Sequence, residues 1–157
     1  MVKIKVIFVG KTKEGWIKQG LLHYQKLLKK YAKLQLVEIK EEKITKSRPA
    51  QAVLDAESQR IARCSEKLSL RIALDASGKN LSSQGFAQFL EENLSRSYGG
   101  FTFILGGALG LSRKILDACP VKLSLSPMTF THQMSRVILL EQIYRAFSIL
   151  KGTGYHK

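Results

Sequence analysis

Residues 101–110 read Phe-Thr-Phe-Ile-Leu-Gly-Gly-Ala-Leu-Gly, an uncharged run that stops abruptly at glycine. A short run of aromatic and β-branched residues bounded by glycine is typical of a strand, here over residues 101–105. Glycine directly after a strand lets the backbone come close to a flat ligand, although an ordinary tight turn needs glycine as well. The segment therefore predicts a strand and leaves two interpretations of Gly106 open.

Segments of the same kind recur along the chain and alternate with helical patterns. Strand patterns cover residues 2–9, 34–39, 68–74 and 121–125, and helical periodicity covers residues 16–31, 49–67, 82–94, 112–119 and 132–150. Strands that alternate with helices, without hairpin turns between them, imply right-handed crossovers and a mainly parallel sheet. The sequence therefore predicts one α/β domain, residues 1–157, whose sheet is covered by helices on both faces.

The charge of the chain favours a polyanionic partner. Among 157 residues there are 26 Lys and Arg against 12 Asp and Glu, a net charge of +14. The excess is concentrated near the N-terminus, because residues 1–48 hold 13 basic and 4 acidic side chains, or +9. Such a surface displaces counterions from phosphates and binds nucleic acid in a salt-sensitive way. A surface that is merely solvated by its lysines is the alternative, since charge alone identifies no ligand.

Other features of the sequence exclude several classes of protein. No apolar run is long enough to span a bilayer, and the N-terminus lacks the form of a signal peptide, so we expect a soluble, cytoplasmic protein with no membrane contact. Cys64 and Cys119 lack the CxxC spacing of zinc or redox sites and are expected to be buried thiols. The three histidines are scattered, so no metal site is expected.

Ligands of open parallel sheets bind at the carboxyl ends of the strands, where the loops leave the sheet. In the first such loop, Gly10-Lys11-Thr12 resembles the end of a phosphate-binding loop, but the GxxxxGK[ST] motif needs glycine where Lys5 stands. Residues 106–110 lack the GxGxxG spacing of a dinucleotide-binding loop. We therefore expect no nucleotide triphosphatase, and interpret residues 10–15 as a basic loop on a surface that contacts RNA.

The C-terminal third is the richest in groups that donate, accept or titrate. It contains Leu-Ser-Leu-Ser-Pro-Met-Thr-Phe at 123–130, Thr-His-Gln-Met-Ser-Arg at 131–136, Leu-Glu-Gln-Ile-Tyr-Arg at 140–145 and Tyr-His-Lys at 155–157. The helix predicted over residues 132–150 is apolar around much of its circumference, which suggests burial on two sides. A second copy of the chain could supply one of those sides.

These C-terminal motifs, together with the opening strand and Gly106-Gly107, resemble the RlmH family over essentially the whole chain. Members of that family are SPOUT-class methyltransferases that modify N3 of a pseudouridine in large-subunit (23S) rRNA. The resemblance implies S-adenosylmethionine (SAM) as the cofactor, a homodimer, and the assembled ribosome as the substrate. It also implies a SPOUT-type α/β knot with a C-terminal trefoil knot, a rare exception to the rule that chains are not knotted.

When the family's SAM-binding positions are transferred to this sequence, the resemblance implies SAM contacts at the ends of the third, fourth and fifth predicted strands. These residues are Leu74, Gly106, Leu125, Ser126, Pro127, Met128, Thr129 and Phe130. Two positions depart from the family pattern. Pro127 stands where a lysine is more usual, and Thr131 where a proline is. Because proline has no backbone N–H group, Pro127 changes the geometry that this loop can adopt.

The acceptor nitrogen of a pseudouridine must lose a proton before or during its attack on the sulfonium methyl group. A proton acceptor, or a cation that favours the anion, is therefore needed, and the candidate catalytic residues are His132, Arg145, Tyr155 and His156. Each has a structural alternative: a helix cap for His132, an ion pair with Glu141 for Arg145, hydrophobic anchoring for Tyr155 and an unstructured tail for His156.

The resemblance implies that the terminal Tyr-His of one subunit completes the pocket of its partner. No covalent nucleophile is expected, since positioning can supply most of the rate acceleration when the cofactor is already activated. A protein of another class has the same charge and surface: a non-catalytic, basic RNA-binding or ribosome-assembly factor.

Overall fold

Strands and helices alternate along the whole chain in a computed structural model that describes residues 1–65, 68–96 and 98–156. The strands are β1 (Val2–Val9), β2 (Ala32–Ile39), β3 (Leu70–Asn80), β4 (Gly100–Leu105) and β5 (Val121–Ser124). The α-helices are α1 (Gly15–Leu28), α2 (Ala50–Cys64), α3 (Ser83–Leu94), α4 (Arg113–Ala118) and α5 (His132–Leu150), and a short 3-10 helix follows at Gly154–His156. The predicted order of elements is confirmed.

The sheet has the strand order β2-β1-β4-β3-β5, and each neighbouring pair runs parallel. The strand that opened the sequence analysis, β4, lies at its centre, and all of its residues are buried. A central strand of a parallel sheet loses water on both faces, which explains why residues 101–105 carry no charge.

Helices cover both faces of the sheet, as predicted. Ile4, Val6 and Phe8 of β1 point to one face and join a core shared with α1, α3 and α5. Ile7 and Val9 point to the other face and pack with residues of α2 and α4. Because side chains alternate between the two faces of the sheet, one strand contributes residues to two separate hydrophobic cores.

Several predicted boundaries are wrong. α1 ends at Leu28 rather than at residue 31, β2 starts at Ala32 rather than at residue 34, and α2 ends at Cys64 rather than at residue 67. After α2 the backbone of Ser65 is extended, and its N–H donates to the Ile61 and Ala62 carbonyls as a helix cap. β3 covers Leu70–Asn80 instead of residues 68–74, because its last residues pair again with β5. Residues 66 and 67 lie outside the described part of the chain.

The helix α5 is covered on two sides by other helices of the same chain. On one side α1 approaches so closely that a Cβ atom built on Gly20 would lie 3.2 Å from Val137 Cγ2. On the other side Ser83, at the start of α3, donates a hydrogen bond of 2.8 Å to Gln142. The apolar circumference of α5 is therefore already largely buried within one chain, without a second copy. No helix among the described residues is long and apolar enough to cross a membrane.

The pairing of β3 with β5 is interrupted in the middle. Leu123 of β5 is the register partner of Leu74 and also of Lys79, so the register shifts and residues 75–78 of β3 bulge between the two pairings. A Cβ atom on Gly78 would lie 2.5 Å from the carbonyl carbon of Leu123 and 2.7 Å from its nitrogen. Only a glycine lets the two backbones approach to this distance.

We predict that Gly78→Ala lowers the free energy of unfolding by about 1 to 3 kcal/mol, because a methyl group there must push one backbone away from the other. Urea unfolding followed by circular dichroism measures the change. The control is Gly15→Ala at the start of α1, where a Cβ atom meets nothing within 4 Å. Equal stabilities of the two variants would contradict the close contact.

Candidate active site

Residues at the bulge of β3 and the loops that follow β4 and β5 enclose a cleft of about 560 Å³ at the carboxyl edge of the sheet. Its lining falls into three segments and the start of α5: residues 74–76, residues 105–108 with Gly110, residues 124–131, and His132 with Ser135. Clefts of this size are typical of sites for small molecules and cofactors. The strand-end rule applied to the sequence therefore located the cleft correctly.

All the residues predicted to contact a cofactor line this one cleft. They come from three separate segments: Leu74 within β3, Gly106 after β4, and Leu125, Ser126, Pro127, Met128, Thr129 and Phe130 after β5. Residues that are up to 56 positions apart in the sequence (74 to 130) are thus brought to the same place.

The loop after β4 is a tight turn and also a wall of the cleft, so both interpretations of Gly106 apply. The N–H of Gly110 donates to the Gly107 carbonyl at 3.0 Å, and Gly110 has a positive φ of 72°. A Cβ atom on Gly106 would collide with the backbone of Gly110. The wall is therefore bare backbone, against which a flat ligand can lie closely.

The loop after β5 is held by its own serines and threonine. Ser124 Oγ donates to the Ser126 carbonyl at 3.0 Å, and Ser126 Oγ accepts from the N–H of Met128 at 3.0 Å. Thr131 Oγ1 accepts from the N–H of Met134 at 3.1 Å and caps α5. Thr131, one of the two departures from the family pattern, therefore has a structural role here. The Met128 side chain is 75% exposed, so an apolar group stands in solvent at the mouth of the cleft.

Asp75 is a lining residue that sequence analysis missed. Its Oδ2 atom accepts hydrogen bonds from the N–H and from the hydroxyl of Ser77, and the carboxylate is half-buried. Among the described residues that line the cleft it is the only carboxylate, and none is lysine or arginine. Its position directly after the strand predicted over residues 68–74 was the signal, since the strand-end rule selects it as readily as Leu74. In a chain of net charge +14, the cleft is thus a local exception.

His132 is the one predicted catalytic residue that lies in the cleft, as the first residue of α5. Burial, and next the positive charge of Arg136, lower the pKa of its imidazole from the ordinary value of 6.5. The ring is therefore neutral at pH 7 and able to accept a proton.

Arg136 is a second residue whose role the sequence analysis missed. Its side chain is 1% exposed, and its guanidinium lies 4.8 Å from the centre of the Phe8 ring. It donates hydrogen bonds to the carbonyls of Val9 (2.8 Å) and Gly10 (3.0 Å) and to Thr12 Oγ1 (2.8 Å). A buried cation is tolerated only when its donors are satisfied in this way. Arg136 thus joins α5 to the loop after β1.

Gln133 makes a second connection between the same two segments. Its side chain accepts from the N–H of Lys13 at 3.1 Å and donates to the Lys11 carbonyl at 3.0 Å. The side chains of both lysines are exposed. The predicted basic loop is therefore fixed beside the start of α5, next to the cleft.

The other candidate catalytic residues lie near the opposite end of α5. Arg145 is 13 positions after His132, which places it about 20 Å away along the helix axis. It pairs with Glu141 at 2.7 Å, and its Nη1 donates to the Tyr155 carbonyl at 3.3 Å. The Tyr155 ring packs edge-on against Tyr144 with centroids 4.6 Å apart. Within one chain, therefore, the candidate set is divided between two places.

The structural alternatives for these residues are observed as well. Arg145 does form the ion pair with Glu141 that its spacing allows, and Tyr155 does anchor the tail. His156 ends the 3-10 helix, but its side chain lies outside the part of the chain that the structure describes. No group of three or more His, Cys, Asp or Glu that could hold a metal ion is found among the described residues.

Comparison with solved structures shows where this fold occurs. A probable methyltransferase from Bordetella pertussis matches 92% of this chain and 96% of its own, with a TM-score of 0.59 and 14% identity. A probable methylase family protein from Haemophilus influenzae matches 99% of this chain and 70% of its own, with a TM-score of 0.55 and 15% identity. At these identities the likeness establishes a shared fold, one that occurs in proteins described as methyltransferases.

Comparison of sequences is more specific. Residues 2–156 match the family described as "Predicted SPOUT methyltransferase". Ribosomal RNA large subunit methyltransferase H of Carboxydothermus hydrogenoformans is 45% identical over 99% of this chain and 100% of its own length. The protein of the same name from Halothermothrix orenii is 43% identical over the same shares. The chain therefore belongs to the SPOUT methyltransferases, in the family of ribosomal RNA large subunit methyltransferase H.

We predict that His132 makes the protein less stable in mild acid. Because its pKa is lowered in the folded state, the unfolded chain binds the proton at a higher pH than the folded one does. The contribution of His132 to stability is therefore complete above about pH 6.5 and is lost as the pH falls below that value. Between neutral and mildly acidic pH, the melting temperature of the His132→Gln variant should therefore fall less than that of the wild type.

The control is His23→Gln, which removes an exposed histidine of α1. Melting temperatures over a pH series, measured by circular dichroism, give the comparison. If the plots of melting temperature against pH are parallel for the wild type and both variants, the pKa of His132 is not lowered in the folded state and the prediction is wrong.

Proposed function

We propose that this protein transfers a methyl group from SAM to N3 of a pseudouridine in large-subunit (23S) rRNA, in the cytoplasm and with the assembled ribosome as its substrate. The observation that carries the proposal is that the residues predicted to hold SAM converge on one cleft, in a chain of the SPOUT family. The names of its relatives supply the class of substrate.

The residues of the cleft suit SAM in size, shape and charge. The volume of about 560 Å³ lies in the range of cofactor sites, and the bare Gly106–Gly107 backbone offers a surface for a flat adenine ring. SAM carries a sulfonium cation, and Asp75 is the one carboxylate among the described lining residues. When bound, SAM supplies a methyl group that is already activated for transfer.

The protein's own contribution is then to position the acceptor base and to manage its proton. His132 lies in the cleft with a lowered pKa, so its neutral imidazole can accept the N3 proton or hydrogen-bond to the base. The loop of Ser126 and Thr131 keeps the wall of the cleft in one shape, which favours a productive orientation.

A homodimer accounts for the division of the candidate residues. Arg145 and Tyr155 lie about 20 Å from the cleft of their own chain, a distance that a side chain cannot bridge. If two copies associate so that the tail of each reaches the cleft of the other, Arg145, Tyr155 and His156 join His132 at one site. Trp16 at the start of α1 is 56% exposed, which an interface between copies would relieve.

The proposed C-terminal trefoil knot rests on membership of the SPOUT family, which a match over residues 2–156 shows.

The proposal is tested with isotope-labelled SAM and three substrates: free 23S rRNA, the large subunit and the assembled ribosome. We expect label to be transferred to one pseudouridine, and fastest with the assembled ribosome. His156→Ala should reduce the rate while leaving dimer formation and SAM affinity unchanged, because it removes a candidate proton acceptor and no cofactor contact. A protein that binds rRNA but transfers no label would instead be the non-catalytic RNA-binding or ribosome-assembly factor.

Mixed dimers test whether the active site is shared between copies. One subunit carries Gly106→Ala, which should abolish SAM binding, and the other carries Tyr155→Ala with His156→Ala. Either variant alone should be inactive, whereas the mixed dimer has one intact cleft next to one intact tail. It should therefore recover about half of the wild-type activity, since one of two equivalent sites is complete. A mixed dimer as inactive as its parents would show that each tail serves its own cleft.

A further inference from the structure

A second depression lies at the amino edge of the sheet, at the end opposite to the cleft. Its volume is about 290 Å³, and it is lined by residues that include Lys3 and Lys5 of β1, Lys33 and Gln35 of β2, and Ser69. β4 separates the two edges by six residues, or about 20 Å of extended chain. The depression is therefore distinct from the candidate active site.

Lysines on neighbouring strands face one another in this depression. Lys3 and Lys33 are register partners in the pairing of β1 with β2, and both side chains are exposed. Like charges directly opposite each other on a sheet destabilise it. No ion pair with either lysine is found among the described residues. Lys5 lies two positions further along β1, on the same face, and its Nζ donates to the Cys64 carbonyl at 3.2 Å.

The fold alone does not account for Lys3. On the same face of β1, Ile7 and Val9 are buried beneath α2 and α4. Lysine on an edge strand is a common protection against aggregation, and this explains Lys33 because β2 is an edge strand. It does not explain Lys3, since β1 lies inside the sheet. A bound polyanion would offset the repulsion between the positively charged lysines.

We propose that this depression binds the phosphate backbone of rRNA, as a second contact remote from the cleft. The proposal rests on the proposed function for the identity of the polyanion. Ammonium groups bind phosphate oxygens as point charges, without demanding one geometry, and Gln35 adds an amide donor to the same wall. A ligand that contacts both edges of the sheet must be long, as rRNA is and a mononucleotide is not. The lysines are then expected to add affinity and to leave the methyl-transfer step unchanged.

The experiment compares Lys3→Gln with Lys33→Gln, as a double variant, against a control that loses two exposed lysines of α1, Lys18→Gln with Lys26→Gln. Both variants lose two positive charges, but the control residues lie on the opposite face of the sheet. Dissociation constants for ribosomes and for 23S rRNA are measured over a series of KCl concentrations. For the depression variant we expect about tenfold weaker binding and a slope of log K against log salt that is smaller by about 1.4 to 1.8, the value for two lost phosphate contacts.

Two further measurements separate this role from a structural one. The melting temperature of the depression variant should be equal to that of the wild type or higher, because a like-charged pair has been removed. SAM affinity, and the rate at saturating ribosome concentration, should be unchanged. If the control loses as much RNA affinity as the depression variant, the loss reflects only the change in net charge, and the proposal is overturned. Unchanged binding in the depression variant would overturn it as well.

The outcome does not depend on whether the enzyme assay succeeds. If the wild type transfers no methyl group but binds rRNA through Lys3 and Lys33, the proposed function fails and this inference survives. If the wild type methylates the ribosome and the depression variant binds like the wild type, only this inference fails.

Discussion

The close backbone contact between Gly78 and Leu123 is the constraint on which the cleft depends. Because Leu123 pairs with Leu74 and again with Lys79, residues 75–78 of β3 must bulge between the two pairings. Asp75, at the start of that bulge, lines the cleft. The contact also sets where β5 ends, and so where residues 124–131 begin their course around the ligand space. A side chain at position 78 would move all of these segments at once.

Charge is distributed unevenly over the molecule, and the distribution matches two different kinds of ligand. The exposed loops after β1 and the amino edge of the sheet carry lysines. The cleft, by contrast, is lined by backbone, small polar groups and one carboxylate among the residues described. A uniformly basic surface would repel a cationic cofactor, so a basic RNA-binding protein that uses SAM needs such a separation. The two environments lie only about 20 Å apart, so under the proposed function a nucleic acid and a small cation would bind within reach of each other.

Much of the fold and part of the site could be predicted from the sequence, because both follow from local patterns. Uncharged runs such as residues 101–105 mark buried strands, and glycine after a strand marks the loops where a ligand fits. The roles of Asp75 and Arg136 were missed for a different reason. A buried arginine whose partners are the Val9 and Gly10 carbonyls leaves no sequence motif, since every residue has a carbonyl. The extension of β3 was missed because it depends on pairing with β5, about forty residues later. The separation of Arg145 from the cleft likewise follows from the direction of α5, which spacing alone does not reveal.

Arg136 has a consequence for how the protein responds to its surroundings. A guanidinium keeps its proton at any pH at which proteins remain folded, so the link from α5 to the loop after β1 does not switch on or off. One helical turn earlier, His132 has a lowered pKa, so it is neutral at pH 7 and gains a proton only in acid. A permanent charge thus maintains the architecture, and a reversible one lies beside it in the cleft. Acidification below about pH 6.5 should therefore alter the chemistry of the cleft while the link through Arg136 keeps its charge.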